Sequence, residues 1–140
     1  MSSFTVPYGV TSTALFIRVK AEANGEHYEG WGLIDTGSAD SGITEAVVNK
    51  LNVVPIKGKE YHTANGKIVA PRYNISLTLQ NNVVFSDIQA SLFTNNGDGF
   101  DFLIGMDIIS QGSLAVTNYN GAMRISFEYP AHGTIDFTNM

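Results

Sequence analysis

The stretch Leu33-Ile34-Asp35-Thr36-Gly37-Ser38 decides how the rest of the sequence is interpreted. Two apolar residues, typical of a buried strand, lead directly into a carboxylate and then into a glycine turn. Desolvation or a neighbouring charge can shift the pKa of a carboxylate in such a place, which makes it a candidate for catalysis. Asp and Gly are also common turn residues, so the tripeptide alone leaves an ordinary turn as the alternative.

A second apolar strand end lies far along the chain, at Phe102-Leu103-Ile104-Gly105. It comes before a short stretch with helical character, 108–111, for which Asp107 is the predicted N-cap. The other predicted helix covers 45–51, with Thr44 as its N-cap, an acid in its first turn and a lysine near its end. On its own, the second stretch is an ordinary junction between a strand and a helix.

The rest of the chain is rich in β patterns that are separated by Asn and Gly turns. Residues 15–22 alternate between apolar and polar, and Asn24-Gly25 joins them to a second run over 27–34, which predicts a hairpin. Further strands are predicted over 59–63, 67–79, 83–93, 100–104, 113–117 and 122–128, and 134–137 is a candidate final strand. Many short strands with few helices indicate an all-β domain, a small barrel or sandwich, with Trp31 and Phe102 expected in its core.

Composition excludes several classes of function. The 140 residues suffice for one domain over 1–140, and the absence of cysteine excludes disulfides and thiolate catalysis. The net charge is −5 and the eight Lys and Arg residues are scattered, so we expect no nucleic-acid partner. No apolar run approaches a membrane span of about 18 residues. The three histidines lack metal-ligand spacing, so neither metal nor cofactor is expected, and the absence of a secretory signal pattern favours a cytoplasmic protein.

Taken together, Leu33–Ser38, the β region with its hairpins and Leu103-Ile104-Gly105 resemble the retropepsin-like aspartic proteases, over about residues 15–127. The resemblance implies a small closed β-barrel with one or two short helices and a single catalytic loop. The catalytic aspartate of the family maps to Asp35. Thr36 would bond across to the loop of a partner subunit, Gly37 would let the backbone approach the substrate, and Leu103-Ile104-Gly105 would brace the loop.

The resemblance also implies a homodimer that acts on a polypeptide substrate. Aspartic peptidases need two carboxylates that share one proton, and this chain offers one suitable aspartate, Asp35. Asp40-Ser41-Gly42 repeats the pattern, but Ser38-Ala39 precedes it, so no apolar strand delivers Asp40 to a buried position. Asp40 is therefore interpreted as a carboxylate with a substrate-binding or structural role. We expect the terminal segments 1–6 and 134–138 to form the contacts of the dimer.

Two further features concern the substrate. A Ser38 hydroxyl that donates to the ionised aspartate would lower its pKa and shift the activity optimum towards acid. Residues 59–69 match the hairpin flap of the family, with Asn65-Gly66 at its tip, although an ordinary surface hairpin is the alternative. The predicted substrate-binding residues are Ser38, Asp40, His62, Thr63, Ala64, Asn65 and Gly66.

The leading interpretation is an aspartic endopeptidase whose two aspartates activate a water molecule across a homodimer. A catalytically silent retropepsin-like module for dimerisation or peptide binding is the alternative, because a fold does not guarantee an activity. A β-barrel domain without any site is a third interpretation.

Overall fold

The computed structural model describes residues 2–9 and 11–139, and in them eleven strands accompany two short α-helices. The strands are β1 (Ser2–Pro7), β2 (Phe16–Ala23), β3 (Glu26–Ile34), β4 (Gly42–Ile43), β5 (Lys59–Thr63), β6 (Gly66–Ala70), β7 (Arg72–Thr78), β8 (Val84–Leu92), β9 (Phe102–Ile104), β10 (Ser113–Tyr119) and β11 (Ala122–Tyr129). The helices are α1 (Glu45–Leu51) and α2 (Met106–Ile109), and a 3-10 turn covers Phe137–Asn139.

Six strands close into a barrel in the order β2-β3-β9-β4-β8-β7, which confirms the predicted all-β barrel. The predicted first hairpin is β2 and β3, paired from Phe16↔Leu33 to Ala23↔Glu26. β9 lies parallel to β3, so that Leu33 pairs with Leu103 and Ile34 with Ile104. This pairing brings the two motif-bearing strand ends side by side, although they are far apart in sequence.

The interior of the barrel is filled by alternate residues of its strands, among them Ile17, Val19 and the fully buried Phe102. Gly32 faces the same interior, where a Cβ atom would lie only 2.7 Å from Cγ2 of Val19. Since Gly32 faces inward, the neighbouring Trp31 faces outward, and the prediction that it lies in the core is wrong. Trp31 is 47% exposed, and the Arg18 guanidinium carbon lies 4.9 Å from the centre of its ring.

A three-stranded sheet, β1-β11-β10, packs beside the barrel. β1 pairs with β11 of the same chain, from Ser2↔Tyr129 to Pro7↔Arg124. One edge of β1 is therefore paired with β11 of the same chain, so a partner subunit could pair only with its other edge. Met1, which belongs to the predicted contact segment 1–6, lies outside the described residues. The final strand expected over 134–137 does not form, since a 3-10 turn begins at Phe137.

The helices and the predicted flap differ from expectation in detail. α1 follows Thr44 as predicted, but the Thr44 hydroxyl donates to Asp101 at 2.7 Å instead of capping the helix. α2 begins at Met106 after Gly105, so the prediction of Asp107 as its N-cap is wrong.

The strand expected over 67–79 is interrupted at Pro71, and β5 and β6 form a separate two-stranded sheet. Among the described residues no helix is long and apolar enough to span a membrane.

Candidate active site

Asp35 lies directly after the barrel strand β3 and is half-buried. Its backbone N–H donates to the Ile104 carbonyl at 2.9 Å, which continues the β3–β9 pairing by one residue. The Gly37 N–H donates to Oδ1 of the Asp35 carboxylate at 3.0 Å, and the Ser38 N–H donates to the Asp35 carbonyl at 3.2 Å. The turn therefore fixes both the backbone and the carboxylate orientation of Asp35.

The loop that follows Asp35 is held against the start of α2. The Met106 N–H donates to the Ser38 carbonyl at 2.8 Å, and the Asp107 N–H donates to the Ala39 carbonyl at 3.1 Å. A Cβ atom on Gly105 would lie 2.6 Å from the Asp40 carbonyl oxygen and 2.9 Å from that of Ser38. Only glycine permits this approach, so the apolar-apolar-Gly element braces the loop of Asp35 through its backbone.

A buried network that the sequence did not reveal completes the brace. Ser41 is fully buried, and its hydroxyl donates to Oδ1 of Asp107 at 2.7 Å while accepting the Gly105 N–H at 3.0 Å. The Ser41 N–H donates to Oδ2 of Asp107 at 2.9 Å. The sequence showed these residues as a second Asp-Ser-Gly and a helix cap, and no spacing signal joined the two.

Ser38 has a different partner from the one expected. Its hydroxyl donates to the Asp40 carbonyl at 2.7 Å. The prediction that this hydroxyl donates to the Asp35 carboxylate is therefore wrong, and the expected acid shift of activity loses its physical basis.

The Asp40 side chain is less exposed than the sequence suggested, with 14% of its surface accessible. Its Oδ2 accepts the Tyr61 hydroxyl at 3.0 Å, and its Oδ1 lies 3.7 Å from Nη2 of Arg72. Tyr61 belongs to β5, so Asp40 connects the loop of Asp35 to the hairpin of β5 and β6.

The predicted hairpin forms, with its turn at Ala64 and Asn65, one residue before the expected tip. The Thr63 hydroxyl accepts the Asn65 N–H at 3.3 Å and donates to the Gly66 carbonyl at 2.8 Å. His62, Thr63, Ala64, Asn65 and Gly66 are all exposed. The structure thus groups the candidate residues into one loop, 35–40, and one hairpin end, 62–66, and their substrate-binding roles stay predictions.

No cluster of histidine and carboxylate side chains suited to a metal ion occurs in the part of the chain that the structure describes. The side chains of the loop itself offer the carboxylates of Asp35 and Asp40 and the hydroxyls of Thr36 and Ser38.

A family model described as aspartyl protease matches residues 19–108, which contain the Asp35 loop, the hairpin and the Gly105 brace. The chain belongs to the aspartyl protease family. No curated protein sequence gives a significant match.

One solved structure shows that this member of the aspartyl protease family has the retropepsin-like fold, and two others align less well. A retropepsin-like aspartic protease from Rickettsia conorii aligns with a TM-score of 0.58 and 17% identity, covering 89% of this chain and 92% of that chain. The simian foamy virus (mac) protease aligns with a TM-score of 0.46 and 17% identity, over 66% of this chain and 91% of that one. A Legionella pneumophila protein of unknown function aligns with a TM-score of 0.45 and 18% identity, over 73% and 91% of the two chains.

Proposed function

We propose that this chain is an aspartic endopeptidase whose active site contains Asp35 of two copies, each with its own Thr36 and Gly37. The observation that carries the proposal is the placement of the Asp35 carboxylate. Asp35 directly follows the barrel strand β3, and its carboxylate accepts the Gly37 N–H. The loop that contains Asp35 is hydrogen-bonded to α2. Membership of the aspartyl protease family supports the same chemistry.

The mechanism requires two carboxylates about 3 Å apart that share one proton, because both cannot ionise at that distance. The ionised aspartate removes a proton from water, which attacks the peptide carbonyl. The protonated aspartate polarises the carbonyl oxygen, and a proton then passes to the departing amine.

The second carboxylate would come from Asp35 of the partner subunit. Within this chain the nearest repeat of the motif is at Asp40, whose carboxylate is bonded to Tyr61 and faces Arg72. A two-fold axis beside Asp35 would bring identical loops together, since a symmetric dimer presents the same patch on both sides. Thr36 is exposed and is the proposed contact between the two loops.

The substrate would be an extended polypeptide that lies between the hairpin and the Asp35 loop and pairs through its main chain. The exposed hairpin residues 62–66, with Ser38 and Asp40 on the loop side, are the proposed contacts. Ile68 and Val69 of β6 are 55% and 68% exposed, so the hairpin also offers apolar surface.

The decisive experiment is cleavage of unfolded casein between pH 3 and pH 7. We expect cleavage by the natural chain and a loss of about 10³-fold or more in Asp35→Asn, because a carboxamide can neither accept nor supply the shared proton. Asp98→Asn is the matched control, since Asp98 is an exposed loop carboxylate and should leave cleavage unchanged. The proposal would be contradicted if Asp35→Asn cleaved casein at the rate of the natural chain. It would also be contradicted if the natural chain did not cleave casein.

Mixed dimers test the shared site directly. When equal amounts of natural chain and Asp35→Asn are refolded together, random pairing in a dimer should reduce the activity of the natural chain to about half. Refolding with Asp98→Asn should not reduce it. An active site contained in one chain would show no loss in either mixture, and that result would exclude the two-copy site.

A further inference from the structure

The hairpin of β5 and β6 leaves the barrel through a narrow base. The Ile56 N–H donates to the Arg72 carbonyl at 2.8 Å, so the two chain segments are bonded where the hairpin begins and ends. A Cβ atom on Gly58 would lie 2.8 Å from Cγ1 of Val69 and 3.2 Å from the Ala70 carbonyl oxygen. Beyond this base, β5 and β6 pair as a two-stranded sheet outside the barrel, so side chains have to fix the position of the hairpin.

One hairpin side chain, Tyr61, reaches the loop of Asp35. Its hydroxyl gives its single proton to Oδ2 of Asp40 at 3.0 Å. The 2.7 Å bond between this hydroxyl and Oγ of Ser91 must then run from Ser91 to Tyr61. The Tyr61 hydroxyl is thus hydrogen-bonded both to Asp40 in the Asp35 loop and to Ser91 in barrel strand β8.

Arg72, at the exit of the hairpin, faces the other oxygen of the same carboxylate. Its Nη2 lies 3.7 Å from Oδ1 of Asp40 and donates to the Gln89 carbonyl at 3.4 Å. Its Nε is buried and has no hydrogen-bond partner within the described residues. Arg72 thus places a positive charge beside the carboxylate that accepts the Tyr61 hydroxyl, and hydrogen bonds to charged groups are the stronger ones.

We propose that Asp40 is a positioning residue that holds the hairpin in place relative to the Asp35 loop, through Tyr61 on the hairpin and Arg72 at its exit. Its catalytic consequence rests on the proposed peptidase function, whereas its structural consequence does not. Because the hairpin is positioned before substrate arrives, less ordering is needed on binding. The Asp40 carboxylate then acts through Tyr61 and not on the scissile bond.

Hydrogen exchange of the hairpin amides in the free protein tests the structural part. In Tyr61→Phe and in Asp40→Ala we expect exchange over 60–70 to be about ten- to a hundredfold faster, as expected for loss of a hydrogen bond to a charged group. Tyr28→Phe is the matched control, because it removes the same kind of bond, from Tyr28 to Oδ2 of Asp101 at 2.9 Å, within the barrel. Its hairpin amides should exchange at the natural rate.

The double variant shows whether the two residues act together. Asp40→Ala combined with Tyr61→Phe should accelerate exchange by less than the product of the two separate changes, because each variant removes the bond between Tyr61 and Asp40. Equal hairpin exchange in Tyr61→Phe, Tyr28→Phe and the natural chain would overturn the proposal. The proposal would also be overturned if the hairpin amides of the natural chain exchanged as fast as those of an unstructured chain. Tyr61→Phe keeps the aromatic ring in place, so the test remains valid if Asp40→Ala does not fold.

Steady-state kinetics on a peptide substrate test the catalytic part. A positioning role predicts a KM about fivefold higher in Tyr61→Phe, with kcat within about twofold of the natural chain. A large fall in kcat with unchanged hairpin exchange would assign Tyr61 to the chemistry and overturn the positioning role. If the natural chain cleaves nothing, the proposed function fails, and hydrogen exchange alone then decides the role of Asp40.

Discussion

The Asp35 loop and the β5–β6 hairpin differ most clearly in how they are bonded to the rest of the chain and in how exposed they are to solvent. Residues 35–41 are bonded to β9 and α2 through backbone and buried side chains, with Ser41 fully inaccessible. The hairpin bonds mainly to itself, and its residues 62–69 are all exposed. The loop with the proposed catalytic carboxylate is thus held by backbone bonds and buried groups, whereas the hairpin, the proposed cover of the substrate, is held to the rest of the chain by a few side-chain bonds.

The largest expected effect comes from Gly105→Ala. Its methyl group would lie 2.6 Å from the Asp40 carbonyl oxygen, so the loop or α2 has to move. We expect a loss of about 3 kcal/mol in the free energy of unfolding, measured by urea denaturation.

Gly66→Ala is the contrasting variant in the hairpin. Gly66 has φ of +112°, and a Cβ atom added there would meet no other atom within 4 Å, so alanine is strained without a steric clash. Because the hairpin is a separate sheet outside the barrel, we expect the strain to increase its local opening, so hairpin exchange should accelerate while the global urea midpoint does not change. Equal losses of global stability in the two glycine variants would break the contrast between loop and hairpin.

Ser41→Ala should have the next largest effect. It removes the donor to Oδ1 of Asp107 and leaves the buried Gly105 N–H without its acceptor. We expect a loss of about 2 kcal/mol in the free energy of unfolding. The control is Ser86→Ala on the exposed surface of β8, which should change stability little. If both serine variants are equally stable, the buried network does not brace the loop.

Ser38→Ala should have the smallest effect. It removes one hydrogen bond, to the Asp40 carbonyl, and should lower the free energy of unfolding by about 1 kcal/mol. The pH dependence of kcat/KM should keep its acid limb, since the hydroxyl does not donate to Asp35 in this structure. An acid limb displaced in Ser38→Ala would show that Ser38 contacts the carboxylate during catalysis.

The sequence patterns were sufficient to predict an all-β domain with Asp35 at the end of a strand, whereas the closed barrel followed from the resemblance. Alternation over 15–22, the Asn24-Gly25 turn and the two apolar strand ends are local patterns, and local patterns determine strands and turns directly. The pairing of β3 with β9 was not predicted, since the resemblance implied only that Leu103-Ile104-Gly105 braces the Asp35 loop.

The side-chain partners were not predictable from the sequence. Trp31 looked apolar enough for the core, but which face of β3 turns inward depends on the space that Val19 leaves at Gly32. Asp107 stands where an N-cap is common, yet Gly105 approaches the loop so closely that the helix starts earlier and the carboxylate bonds to Ser41. Both outcomes depend on contacts between distant segments, which no single stretch encodes.

The hydrogen bond from the Asp35 N–H to the Ile104 carbonyl has a consequence for biosynthesis. A growing chain carries the complete Leu33–Ser38 stretch long before β9 has been synthesised. Until β9 and Gly105 emerge from the ribosome and pair with β3, the Asp35 turn has only the hydrogen bonds from Gly37 and Ser38 within it, and contacts of such long sequence separation form late. The braced form of the loop can therefore be assembled only after Gly105 has been synthesised.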